Sequence, residues 1–324
     1  MDKTMQESVD EVEGIDADAV KNLLSFQVES TSLKSKVTYF GLSLTAFIVV
    51  GLFVIKSYSS LTVYDLVILT LVLFIHEAGH YLSMRRFGYR NLKMFFIPLF
   101  GAAVKGYSCT SVAKESIAYL LGPIPGILIG CICIGIHYVT GVNIWLNAAF
   151  LFIVINTANL LPLYPLDGGR FIFGIMPLST YRIQRWVQIT IILIAIYVMF
   201  HFDLRIGLLI GLALGAIGNL HRHNKIAAKL AMLDISENEI DPNSVPPEVA
   251  RKVVEITQQE AADHNMTSRE IAESAWAAWI RAHAKQPSRS QTLYLLGIYL
   301  AALVVGIFAS YIFLYPSLKQ MLSY

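Results

Sequence analysis

One stretch of this chain limits its fold more than any other. Residues 61–82 form an apolar run long enough to cross a bilayer, yet they carry F-I-H-E-A-G-H-Y, with His76, Glu77 and His80 inside it. Hydrocarbon offers the backbone no hydrogen bonds, so a chain at that depth is helical or closed into a barrel, and ionisable side chains there point to function. On a helix, histidines at i and i+4 lie on one face, and both imidazoles can reach one metal ion. The glutamate after the first histidine is then placed to take a proton from water activated by that metal, as in zinc peptidases with this motif.

Six further runs read as spans: 37–55, 116–139, 144–163, 183–202, 204–220 and 292–314. Charged residues make up only 15% of the chain against 55% apolar, where a soluble domain carries about a quarter charged. The expected fold is therefore an all-α polytopic membrane protein with about seven transmembrane helices, in contact with membrane lipid. A net charge of +2 gives no footing for a nucleic-acid partner. Residues 92–106, L-K-M-F-F-I-P-L-F-G-A-A-V-K-G, are apolar but too short, and too broken by Pro98 and Gly101, to span as a helix. Their β-prone halves predict a membrane re-entrant β-hairpin, which is tolerated where protein or a wet cavity satisfies its backbone. In G-P-I-P-G, Pro123 and Pro125 predict a kink. Cys131 and Cys133, two apart on a helix, do not share a face and read as packing residues.

The flanking segments differ in kind. Residues 1–36 hold eight acidic and four basic side chains and begin without a basic n-region, so they read as a cytoplasmic N-terminal tail with a short helix near 16–25. Residues 37–220 would be a six-helix membrane core. Residues 221–289 are polar and read as a small cytoplasmic helical domain. There Val249, Val253 and Ile256 follow a helical period after Pro246-Pro247. A second helix starts at Thr267 or Ser268, with Glu270 set for a capping box. Trp276 and Trp279 would be its buried face, or else a face resting on the membrane. Residues 290–324 supply the seventh span and a short outer tail. With the N-terminus in the cytoplasm only Lys56, Arg205 and Lys319 of the 25 Lys and Arg lie outside, the orientation that basic residues favour. The expected location is a bacterial cytoplasmic membrane. His221 and His223, in a basic H-R-H-N-K cluster, read as interfacial residues near headgroups.

A catalytic zinc takes three protein ligands and keeps a fourth position open. The candidates near the membrane are Asp65, Asp167, Asp203, His137 and His201. His76 lies about 22 Å past the outer end of its span at 1.5 Å per residue, near the cytoplasmic side of a ~30 Å core. Asp65, His137, His201 and Asp203 fall at the outer side, whereas Asp167 follows a span that also runs inward. Pro162, Pro165 and Gly168-Gly169 around it predict irregular backbone, which at this depth usually lines a site.

With F-I-H-E-A-G-H-Y, the later G-P, and N-L-L-P-L-Y-P-L-D-G-G on the page, the chain resembles the site-2 protease family of intramembrane zinc metalloproteases over roughly residues 61–170. The resemblance implies one zinc per chain, held by His76, His80 and Asp167, with Glu77 as general base. It places Asn159 against the substrate backbone or the oxyanion. It also likens residues 95–105 to a hairpin whose edge, at Gly101, Ala102 and Ala103, pairs with an unwound strand of a transmembrane protein substrate. Asn156, by contrast, reads as inter-helix packing. The alternatives are a metal-ion transporter or a non-catalytic membrane binding protein. A transporter would need a ladder of ligands across the outer half, and a binding protein has no use for Glu77.

Overall fold

The computed structural model describes residues 15–25, 33–57, 62–98, 101–107, 111–201, 207–233, 245–261 and 266–322. It is mostly helical and divides into two compact units. One takes in Thr31–Tyr107, Val112–Ile175 and Gln286–Tyr324; the other takes in Met1–Ser30, Ser108–Ser111 and Met176–Lys285.

The first unit holds α2 (Leu33–Ser57), α3 (Val63–Arg86), the strands β1 (Arg90–Ile97) and β2 (Gly101–Tyr107), α4 (Val112–Leu120), α5 (Pro123–Thr140), α6 (Asn143–Asn159), α7 (Asp167–Ile175) and α12 (Arg289–Leu322). Thr62 and Asp65 close a capping box that starts α3. The expected hairpin is present as a two-stranded antiparallel sheet, with Phe95 opposite Ala103, Phe96 opposite Ala102 and Ile97 opposite Gly101. Gly101 sits at φ 114°, where a side chain would be strained. β1 docks on α2 through Phe96, whose ring meets Phe40 and Phe47 and whose backbone N–H donates to Ser43 Oγ at 3.0 Å. The helix expected over 116–139 breaks at Leu121-Gly122, and Pro123 restarts it at a first-turn position where its missing N–H costs nothing. Helices α3, α5, α6 and α12 close around Ile68, Val72, Cys133, Ala149, Phe152, Ile153 and Ala309. The cysteine is a packing residue there, as its spacing predicts.

Among the described residues four helical stretches are long and apolar enough to cross a membrane: Val37–Lys56, Val63–Arg86, Val112–Thr140 and Arg289–Tyr311. Seven spans are not supported. The run expected over 144–163 is helical only over Asn143–Asn159, 17 residues, because the chain unwinds ahead of Pro162. The expected fifth and sixth spans correspond to α8 (Tyr181–His201) and α9 (Gly207–Leu230), neither of which qualifies over its described residues. Arg182, Gln184, Arg185 and Gln188 open the one, and His221, Arg222, His223, Asn224 and Lys225 lie in the other. The turn between them lies outside the described residues.

The second unit joins α8 and α9 to α1 (Ala17–Ser25), α10 (Pro247–Ala261) and α11 (Ser268–His283). Asp16 caps α1 and Thr267 with Glu270 forms the capping box of α11. Leu23, Ile226, Leu230, Val253, Val254, Ala275 and Trp279 are buried. Both Trp276 and Trp279 face the interior, so the reading of α11 as a packed helix holds. A buried Asn224 amide donates to Gln184 Oε1 at 2.7 Å.

Two titrating groups make this unit sensitive to acid. Burial, then the neighbouring charges of Arg281 and Arg222, press the His223 pKa down to about 4. Burial pushes the Glu260 carboxyl up, but hydrogen bonds from Lys225 and Lys229 outweigh it and hold the group below its ordinary value. Both are depressed in the folded state, so their stabilisation is present at neutral pH and is lost on acidification. His223 contributes its loss between about pH 6.5 and 4, and Glu260 contributes below its unfolded value of about 4.3. Hydrogen exchange in residues 247–283, corrected for intrinsic rate, should therefore be faster at pH 5 than at pH 7.5. The His223→Gln variant should show a smaller difference. Equal protection at both pH values in the wild type would contradict this account.

Candidate metal centre

His76 and His80 lie one turn apart on α3, both buried, with their rings edge to face and their centroids 4.8 Å apart. Asp167 begins α7 and reaches the same point. Its Oδ2 is 3.0 Å from His76 Nε2 and 3.1 Å from His80 Nε2, and the two nitrogens are 3.1 Å from each other. Three ligand atoms about 2.0–2.1 Å from a tetrahedral ion stand about 3.3 Å apart, so this near-equilateral triangle has the dimensions of one half-closed coordination shell.

The hydrogen-bond accounting leads to the same point. His76 Nδ1 is 2.8 Å from Asn156 Oδ1, and His80 Nδ1 is 2.8 Å from the Ala118 carbonyl. The Asn156 amide nitrogen donates to Phe152 O at 2.7 Å, which fixes its oxygen toward the imidazole. Both partners are acceptors, so each Nδ1 carries a proton and each ring turns its Nε2 inward. Two ring nitrogens and a carboxylate oxygen then meet within about 3 Å. With both rings neutral that arrangement is repulsive unless a cation lies between them. Neutral imidazole nitrogens with one carboxylate oxygen are a donor set that zinc accepts. Among the described residues His76, His80 and Asp167 are the only group of this kind.

The local backbone is shaped for this meeting. A Cβ on Gly122 would strike the His80 ring, and one on Gly126 would strike the Asn156 amide. Gly79 lets α3 come up against the Leu121 carbonyl. Gly168 and Gly169 pack directly on the backbone of residues 160–164, which folds the N-L-L-P-L-Y-P-L loop back beneath Asp167. Tyr299 of α12 fixes that loop from the other side, donating to Leu160 O at 2.8 Å and stacking on Phe171 at 4.9 Å.

The triad opens into a cavity of about 220 Å³ that also touches Glu77, Asn159, Gly101, Ala102, Ala103, Tyr119 and Arg170. Every residue nominated from the sequence is thus on one wall or another of a single space. Glu77 is buried beside the ligands, and Asn159 holds its amide against Ile155 O at 3.2 Å within α6. β2 pairs only with β1 among the described residues, and its Gly101, Ala102, Ala103 and Val104 line the cavity. Asp65 and His137 lie elsewhere, at the start of α3 and near the end of α5, where His137 Nδ1 meets Val142 O. The His201 side chain and Asp203 fall outside the described residues.

Sequence reasoning missed Asn156, the Ala118 carbonyl, Tyr119 and Arg170. Asn156 could have been suspected from chemistry, because a metal-bound histidine nearly always donates its second N–H to an acceptor. No protein-family model matches the chain, and no curated protein matches it.

If the triad holds a metal ion, Asn156→Ala should lower its affinity roughly 10–100-fold, as loss of such an orienting partner does. Asn156→Asp, which keeps the acceptor, should restore most of it. Competition with a chelator of known affinity reads both. Unchanged affinity in the alanine variant would mean that the His76 ring is held without Asn156.

Proposed function

We propose that the protein is an intramembrane zinc endopeptidase that cuts a transmembrane or membrane-adjacent segment of another protein, with the metal end of α3 toward the cytoplasm. The observation that carries the reading is the convergence of two ring nitrogens and a carboxylate oxygen, a group that could hold a metal ion, on a cavity that also holds Glu77 and the side of a β-strand. The site-2 protease resemblance of residues 61–170 supports it, and Arg85 and Arg86 at the end of α3 favour that orientation.

Zinc held by His76, His80 and Asp167 would supply Lewis-acid polarisation of the scissile carbonyl and a lowered water pKa. Glu77 accepts the proton of the attacking water and returns it to the leaving amine. A peptide bond in a helix is sealed by its own hydrogen bonds, so the substrate must unwind at the cut. Laying the unwound segment along β2 gives its freed N–H and C=O groups partners and brings it past Asn159 to the metal.

Glu77→Gln keeps the shape of the site but removes the proton acceptor. Zinc should stay near one per chain while cleavage of a reconstituted transmembrane substrate falls by about 10²–10⁴-fold or more. Asp167→Ala, His76→Ala and His80→Ala should lose zinc and cleavage together, whereas Asp65→Asn and His137→Ala should keep both. A transporter would instead show altered metal flux in Glu77→Gln with no uncut protein accumulating, and that result would end the peptidase reading.

Proline at Ala102 or Ala103 removes a strand N–H. Either variant should slow cleavage of a helical substrate more than that of one already loosened by helix-breaking residues. An equal loss on both would remove β2 from substrate handling.

A further inference from the structure

Among the described residues Arg170 is the only lysine or arginine on the cavity wall, facing a space whose carboxylates are Glu77 and Asp167. It follows Asp167 by three residues in the first turn of α7, so both side chains share the face of the helix that meets the cavity. Its Nε donates to Pro165 O at 2.9 Å, which fixes the plane of the guanidinium at the rim. Among the described residues it makes no ion pair and its two terminal nitrogens have no hydrogen-bond partner. Nearby Tyr119 is committed to Glu115 at 2.7 Å, so that carboxylate already has a donor of its own. A guanidinium held by Nε alone presents its remaining N–H groups as a planar fork, the geometry that matches a carboxylate.

We propose that Arg170 is a specificity-determining residue that reads a carboxylate on the bound peptide, a proposal that rests on the peptidase reading above. The carboxylate is either an Asp or Glu side chain near the scissile bond or the free C-terminus of a shortened substrate; both offer the same two oxygens.

The test uses full-length protein carrying Glu77→Gln, so that peptides bind without being cut. The probes are fluorescent, acetylated, amidated eight-residue apolar peptides with one Glu moved through each position, a matched Gln series, and a Gln series ending in a free carboxylate. A charge-assisted hydrogen bond of this kind corresponds to about 10–100-fold in affinity. At one or two positions the Glu peptide should bind tighter by that factor. The advantage should vanish in Arg170→Gln, shrink in Arg170→Lys, and turn toward Lys-bearing peptides in Arg170→Glu. A gain for the free-carboxylate series alone would assign the contact to a C-terminus. The proposal is overturned if neither series discriminates. It is equally overturned if the Glu advantage survives Arg170→Gln, or if that variant weakens every peptide alike, which marks a purely structural tie to Pro165. Because only binding is read, these failures leave cleavage by the wild type standing, whereas a zinc-loaded wild type that cuts nothing would remove the peptidase reading itself.

Discussion

The meeting of His76 Nε2, His80 Nε2 and Asp167 Oδ2 within about 3 Å is the constraint around which the membrane unit is built. Three polar atoms brought this close must be oriented by other contacts to stay there. Much of the surrounding sequence can be traced to this need. Ala118 O and Asn156 turn the rings, Gly122 and Gly126 leave room for the ring and the amide, and the glycine pair after Asp167 lets its loop fold flat. Tyr299 then pins the far end of the same loop. These contacts come from five helices distant in sequence, which is how a few hydrogen bonds can fix a site that would fly apart if built on one.

The hairpin answers a different problem. Backbone that is neither helix nor closed sheet is costly at membrane depth, and β2 leaves one edge unpaired among the described residues. The structure anchors the other strand firmly, through Phe96 on Phe40 and Phe47 and through the Ser43 hydroxyl, so the pair is held rigidly while β2 faces the cavity. An edge held in that way fits the proposal that a substrate segment supplies the missing strand. That links the hairpin to the metal centre more closely than the shared cavity wall alone.

The grouping of His76, His80 and Asp167 was legible in the sequence in part because one signal had a physical period behind it. Four-residue spacing put His76 and His80 on one face, whereas the choice of Asp167 by span depth leaned on spans that are not supported and gains its footing from the observed meeting of the three side chains. The hairpin was legible from Pro98 and Gly101 within an apolar run. Asn156 was not, because a polar residue that packs helices and one that orients an imidazole have the same sequence signature. Only the register of α6 against α3, which puts Asn156 Oδ1 2.8 Å from His76 Nδ1, separates the two. The span count failed for a related reason. Apolar runs such as 144–163 measure composition, whereas helix length depends on where proline and the demands of the site unwind the chain, here at Asn159.

Charge balance ties the catalytic reading to the surroundings of the site. With a divalent ion bound, two neutral imidazoles and ionised Asp167 and Glu77 would sum to zero, so the buried core of the proposed site would carry no net charge to be desolvated. On the proposed reading Glu77 would then be more than a base: without it a bound ion would sit in an apolar helix bundle with an uncompensated positive charge. Arg170, at the mouth and solvent-accessible, adds one positive charge where water can still screen it. With an ion bound, the space between it and Arg170 would be positive at one end and neutral at the other. A peptide strand laid along β2 with its electron-rich carbonyl at the metal and an anionic group toward the rim matches that gradient. The opposite polarity, a lysine or arginine directed at the rim, would meet Arg170 as the water leaves.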